Sequence, residues 1–124
     1  MECVVRNTTR DAVLAERVRL ATSPLARLRG LLGTSALAPG HGLLLRPCRQ
    51  VHSFFMKYAL DLVFVDAEDR VVETVAAFPT NRISPLVPSA AAVLELPAGA
   101  LAAAPARPGD RLSIAPRSDA AAER

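Results

Sequence analysis

Cys48 and His52 are the residues of this chain whose types best suit chemistry, and Asp61 or His41 lies near enough in sequence to join them. Thiolate, imidazole and carboxylate are ligands that zinc accepts, but a structural zinc usually takes four of them. The whole chain has only two cysteines and two histidines. We therefore expect no bound metal.

The same Cys48 and His52 would also suit a small hydrolase in which an imidazole activates a thiol, with Asp61 as the third member. Residues four apart on an extended strand lie roughly 13 Å from one another, so only a turn would bring thiol and ring together. Pro47 permits such a turn. This hydrolase is our alternative hypothesis, and in the main one no residue is catalytic.

Lys57 and Asp61 form another charged pair beside an apolar strand. An exposed ion pair adds little stability, so such a pair indicates either a fixed bend or a contact to a ligand. We favour the fixed bend for Asp61, whose carboxylate would accept hydrogen bonds there, and leave both roles open for Lys57.

An anion-binding cradle is a further hypothesis, because guanidinium groups bind carboxylate or phosphate through two parallel hydrogen bonds. It requires the proline-rich loop after Phe78 to fold over the strand that contains His52, and it would use Arg46, Arg49, Lys57, Arg82 and Asn81. No phosphate-binding glycine motif occurs, so we expect no nucleotide cofactor. The ligand-binding candidates are Lys57, Asp61, His52, Arg49 and Arg82.

The elements that must position these residues are mainly strands, because short apolar runs alternate with turn residues along the chain. This pattern predicts a compact antiparallel β sandwich or barrel within one domain, residues 1–117. The tail, 118–124, has nothing to bury, and we expect it to be disordered. The predicted strands are 2–6, 17–21, 43–45, 51–56, 62–65, 71–75, 92–96 and 112–115.

One short helix is predicted over about 24–32. Ser23 can cap it, Pro24 suits its first position and Gly33 can end it. Leucines recur at helical spacing within it, so one stripe should face the sheet. One more helical turn is predicted near 100–104. Residues 66–70 should form a hairpin connection between two strands, and residues 108–110 a tight turn into the last strand.

Charge and composition favour a protein that binds no nucleic acid specifically. The chain carries 15 basic against 12 acidic residues, and its arginines are scattered along the sequence. No apolar stretch reaches the roughly 18 to 20 residues of a membrane span. Two distant cysteines and a charged, then polar, beginning predict free thiols, no signal peptide and a cytoplasmic location.

Several segments also occur in the order typical of a known family, and together they run from about Val18 to Leu112. The chain resembles the domain-of-unknown-function family 192, which is bacterial and archaeal. It departs by having Phe55 where Trp is more usual, and Cys48 and His52 belong to a subgroup variant. The segments are Ala21-Thr22, Arg29-Gly30-Leu31-Leu32, Gly42-Leu43-Leu44-Leu45, Phe55-Met56-Lys57, Leu60-Asp61, Phe64-Val65-Asp66, Val71-Val72, Val93 to Gly99 and Gly109-Asp110.

The resemblance implies a β sandwich or barrel with a short helix, and it brings no inherited reaction. Variants of this subgroup resemble proteins encoded near pilus or secretion genes, which implies a partner in that machinery. We therefore expect a binding or accessory module without catalysis, which engages a protein, a peptide or a small ligand. The Cys48, His52 and Asp61 hydrolase remains the alternative.

Overall fold

Residues 2–118 are the part of the chain that the computed structural model describes, and they form seven strands and two short helices joined by turns and loops. The helices are α1 (Pro24–Arg29) and α2 (Ala100–Ala103). The strands are β1 (Glu2–Asn7), β2 (Ala12–Ala21), β3 (His41–Leu45), β4 (Leu60–Val65), β5 (Val71–Phe78), β6 (Ala92–Pro97) and β7 (Leu112–Pro116).

All seven strands join one curled sheet that forms a half-barrel, in the order β5-β4-β6-β3-β2-β1-β7. Neighbouring strands are antiparallel except β2 and β3, which are parallel. A parallel pair needs a crossover connection, and the segment 22–40 with α1 supplies it. The predicted mainly β fold with a short helix is confirmed, and β2 with β3 is the one departure from antiparallel pairing in the described sheet.

The central strands are buried on both faces. Leu43 packs in one apolar cluster with Leu62 and Val93, whereas Leu44 packs in a second cluster with Leu94. Successive side chains of a strand point to opposite faces, so each of these strands serves both clusters. Double burial explains why β3, β4 and β6 have nearly continuous apolar sequences instead of alternating ones.

Helix α1 begins as predicted and ends earlier than predicted. The Ser23 hydroxyl accepts a hydrogen bond from the Ala26 N–H at 3.1 Å, which confirms the N-cap. The helix ends at Arg29 because Gly30 adopts a positive φ of 49° and its N–H donates to the Ala26 carbonyl. The predicted end near Leu32, with Gly33 as its cap, is therefore wrong.

The leucine stripe of α1 does not face the sheet as predicted. Leu25 and Leu28 are 76% and 69% exposed, and only Leu31, which follows the helix, is buried. A helix of six residues is too short for a full stripe, and the turn at Gly30 redirects the chain so that Leu31 reaches the core.

The predicted strand over 51–56 is wrong. This segment is irregular apart from one isolated bridge between His52 and Ile83. Its backbone groups bond to the loop after β5 instead of to the sheet: the Ser53 N–H donates to the Arg82 carbonyl at 2.8 Å and the Ser84 N–H donates to the Val51 carbonyl at 2.9 Å. The backbone groups of an apolar run can thus form their hydrogen bonds with a loop instead of a strand. The local sequence does not show which of these partners the run has.

The remaining turns agree with the sequence. Residues 66–70 connect β4 to β5 as a hairpin, α2 lies within 100–104, and a turn at 108–110 precedes β7. The long loop expected after Phe78 extends to β6. No helix among residues 2–118 is long and apolar enough to cross a membrane. The predicted disordered tail lies outside the described residues except for Ser118.

Candidate functional site

A pocket of about 340 Å³ lies between α1 with its following turn, the end of β3 and the segment 46–56. We call it the α1 pocket. Its apolar wall consists of Leu28, Leu31, Leu32, Leu45, Val51 and Met56. Its polar lining consists of Arg27, Arg29, Cys48, Gln50, His52 and Glu95.

Glu95 is the most unusual residue of the α1 pocket. It lies on β6 between Leu43 of β3 and Leu62 of β4, on the face that Val93 shares, and it is only 5% exposed. Among residues 2–118 no side-chain or backbone group donates a hydrogen bond to its carboxyl, and no cation lies in ion-pair range. Burial raises the pKa of Glu95 to about 7.

Arg27 brings a second incompletely paired polar group to the same pocket. One terminal nitrogen of its guanidinium donates to the Pro47 carbonyl at 3.3 Å, which ties α1 to the segment after β3. The Nε–H is buried and has no acceptor in the part of the chain that the structure describes. A buried donor of this kind usually has a partner. The second terminal nitrogen of Arg27 likewise makes no hydrogen bond within residues 2–118.

Cys48 and His52 both line the α1 pocket, but no hydrogen bond joins them within residues 2–118. The Cys48 thiol donates to the Gln50 carbonyl at 3.2 Å, and burial raises the pKa of this thiol. The His52 Nδ1 accepts the Phe54 N–H at 3.3 Å, and its ring stacks on that of Phe54. A thiol held in its neutral form and without a base is a poor nucleophile.

Asp61 lies outside the α1 pocket. Its carboxylate is 1% exposed and accepts three backbone hydrogen bonds, from Ala77 at 2.8 Å, Gly99 at 3.2 Å and Leu101 at 2.9 Å. These bonds hold the end of β5 and the start of α2 against β4. The structure therefore does not bring Asp61 together with Cys48 and His52 as one catalytic set.

The basic candidates are dispersed. Lys57 is exposed and makes no hydrogen bond or ion pair within residues 2–118, and Arg82 donates to the carbonyl of its neighbour Asn81. Arg49 donates to the Ala90 carbonyl at 3.3 Å. With Arg46 and Arg27, Arg49 lines an open depression next to the α1 pocket. Of the proposed cradle, the depression contains only Arg46 and Arg49.

No group of three or more His, Cys, Asp or Glu side chains within residues 2–118 is arranged to hold a metal ion. Cys3 and Cys48 are both free thiols, one on β1 and one after β3, as the sequence predicts. Among the polar side chains that line the α1 pocket, Glu95 and Arg27 each have polar atoms without a hydrogen-bond partner in residues 2–118.

Sequence reasoning missed Glu95 and Arg27. The signal for Glu95 was present, because a single acidic residue interrupts the apolar run Ala92 to Leu96. An acidic residue inside a doubly buried strand must be paired, neutral or functional. No comparable signal marks Arg27, because an arginine on a short helix is usually solvated.

The fold and the pocket together describe a half-barrel β protein with a carboxyl group buried beneath a short helix. The chain belongs to the family DUF192, described as "Uncharacterized ACR", whose sequence profile matches residues 5–114. The resemblance noted from the sequence is thereby confirmed. A search of the curated proteins finds no match.

Two solved structures have a similar fold. A protein of unknown function from Novosphingobium aromaticivorans DSM 12444 is 23% identical, with a TM-score of 0.78 over 91% of this chain and 84% of that one. A protein from Sinorhizobium meliloti 1021, described as a candidate transcription regulator, is 24% identical, with a TM-score of 0.76 over 91% of this chain and 92% of that one. At these identities the likeness concerns the fold alone.

Proposed function

We propose that this protein is a binding module for a small, largely apolar ligand that carries a polar group, and that the ligand occupies the α1 pocket. The observation that carries the proposal is Glu95, a carboxyl that is nearly fully buried, faces the pocket and has no donor within residues 2–118. Burial of an unpaired carboxyl opposes folding. A ligand with a complementary group would supply the missing partner.

The composition of the pocket supports the same function. Ligand sites are typically concave, of about 300 to 1,000 Å³, and mainly apolar with a few well-placed polar groups. The α1 pocket, at about 340 Å³, has an aliphatic wall and a small polar set. Its volume suits a small molecule better than a folded partner.

The hydrolase alternative receives no comparable support. It would need a thiolate at Cys48, a base next to it and a carboxylate behind the base. In the structure burial raises the pKa of the Cys48 thiol, and this thiol donates to the Gln50 carbonyl instead of to His52. Asp61 is engaged by three backbone donors elsewhere.

The test is a thermal-shift screen of small metabolites with a matched pair of helix variants. Leu28 and Leu25 are both exposed on α1, but only Leu28 lines the α1 pocket. Leu28→Trp should obstruct the pocket and Leu25→Trp should not. A ligand of the native state raises the unfolding midpoint, so a true ligand should stabilise wild type and Leu25→Trp and should have little effect on Leu28→Trp.

Two results would contradict the proposal. One is a screen in which no compound raises the midpoint of the wild-type protein. The other is a ligand that stabilises Leu28→Trp as strongly as wild type, because that ligand would bind elsewhere.

A further inference from the structure

We infer that the ligand of the α1 pocket is a small monocarboxylate with a short apolar chain, whose carboxylate lies between the guanidinium of Arg27 and the carboxyl of Glu95. This inference rests on the proposed function and specifies the chemical class that the same pocket binds.

Arg27 provides the first reason for an anion. One terminal nitrogen of its guanidinium is held by the Pro47 carbonyl, and the other terminal nitrogen, also a charged donor, makes no hydrogen bond in residues 2–118. Hydrogen bonds from guanidinium to carboxylate are charge-assisted and stronger than neutral ones. A ligand carboxylate therefore satisfies this donor better than an uncharged acceptor does.

The charges around Glu95 provide the second reason. From α1 the charged groups that face the pocket are Arg27 and Arg29, and the segment 46–56 adds the titratable Cys48 and His52. The strands on either side of β6 present Leu43 and Leu62, which carry no charge. With Glu95 neutral the pocket is positive, so it attracts an anion and disfavours an amine.

Glu95 supplies a second donor when it is protonated. Its environment favours the neutral acid, and a bound carboxylate nearby favours that form further because two adjacent negative charges repel each other. The acid O–H then donates to the ligand carboxylate. The proton comes from solvent, so binding above neutral pH is accompanied by uptake of one proton.

The remaining wall accounts for the apolar chain. Leu31, Val51 and Met56 line the pocket beside the polar groups. At about 30 Å³ for each water-sized group, a cavity of about 340 Å³ holds roughly eleven such groups, which is enough for a six-carbon acid.

The experiment is calorimetric titration of hexanoate, hexanamide and hexylamine into the wild-type protein at pH 6, 7 and 8. Hexanoate should bind best, and its affinity should fall by up to tenfold for each pH unit above about 7 because one proton is taken up. Titrations in two buffers of different ionisation enthalpy should detect that proton directly.

Variants separate the two contacts. Arg27→Gln should weaken hexanoate at least tenfold at every pH, whereas the exposed Arg70→Gln, which leaves the pocket lining unchanged, should have little effect. Glu95→Gln retains an N–H donor, so it should still bind hexanoate but lose both the pH dependence and the proton uptake.

The outcomes distinguish the inference from the proposed function. Tighter binding of hexylamine or hexanamide than of hexanoate would overturn the monocarboxylate and leave the pocket as a binding site. The monocarboxylate would also be wrong, and the pocket would remain a binding site, if no carboxylate binds while another compound stabilises wild type and not Leu28→Trp. If no compound of any class binds, both are wrong.

Discussion

Replacing Glu95 with glutamine should change the stability of the protein in a pH-dependent way. Burial raises the pKa of Glu95 from its ordinary 4.5 to about 7 in the folded protein. Between these values the unfolded chain loses the proton and the folded chain keeps it. The stability that neutral Glu95 preserves is therefore fully present below pH 4.5, and this part of the unfolding free energy is lost as pH rises through about 7.

The magnitude follows from the size of the shift. A difference of about 2.5 pKa units corresponds to about 3 kcal/mol of unfolding free energy. Glutamine does not ionise, so the stability of Glu95→Gln relative to wild type should rise by about 3 kcal/mol between pH 4 and pH 8. Any effect of the amide on stability that does not depend on pH cancels when the stability differences at two pH values are compared.

Urea denaturation at pH 4, 5.5, 7 and 8, followed by circular dichroism because the chain has no tryptophan, measures this difference. Glu68→Gln is the matched control, because Glu68 is an exposed carboxylate whose side chain makes no hydrogen bond or ion pair within residues 2–118. A stability difference between Glu95→Gln and wild type that is the same at every pH would refute the reasoning.

Three further predictions concern other groups. Asp61→Ala should lose on the order of 3 kcal/mol in urea denaturation, because it leaves three backbone donors unpaired; stability equal to wild type would contradict a structural role. Burial opposes ionisation of Asp110, but hydrogen bonds from Asn7, Arg10 and the Arg107 N–H have the larger effect and lower the pKa of Asp110. Asp110→Asn should therefore destabilise the protein at pH 7, and its difference in stability from wild type should shrink as pH falls below about 4. Iodoacetamide should alkylate native Cys48 at pH 7 more slowly than it alkylates glutathione, because burial raises the pKa of this thiol; faster alkylation would revive the hydrolase.

Features that depend on neighbouring residues were predictable from the sequence. The Ser23 cap, the hairpin over 66–70 and most strands follow from local patterns of turn formers and apolar runs. The end of α1 was not predictable in this way, because Gly30 and Gly33 are equally suited to end a helix and tertiary packing of Leu31 selects the earlier one.

The segment 51–56 shows a second limit. Its apolar sequence resembles a strand, but its hydrogen-bond partners lie in the loop after β5, about thirty residues away. Which of two partners an apolar run selects is a property of the whole chain and not of the run. The predicted cytoplasmic location and the pilus or secretion partner likewise stay predictions.

The sequence alone does not distinguish the roles of the two buried carboxyls, Asp61 and Glu95. Asp61 and Glu95 lie on the paired strands β4 and β6, each as a single acidic residue in an apolar run. They point to opposite faces of the sheet: Asp61 is opposite Leu96 and Glu95 is opposite Leu62. On one face the Asp61 carboxylate accepts hydrogen bonds from three backbone N–H groups, so its charge stabilises the fold. On the other face the Glu95 carboxyl lines a pocket and has no donor within residues 2–118, which is why we propose a ligand there.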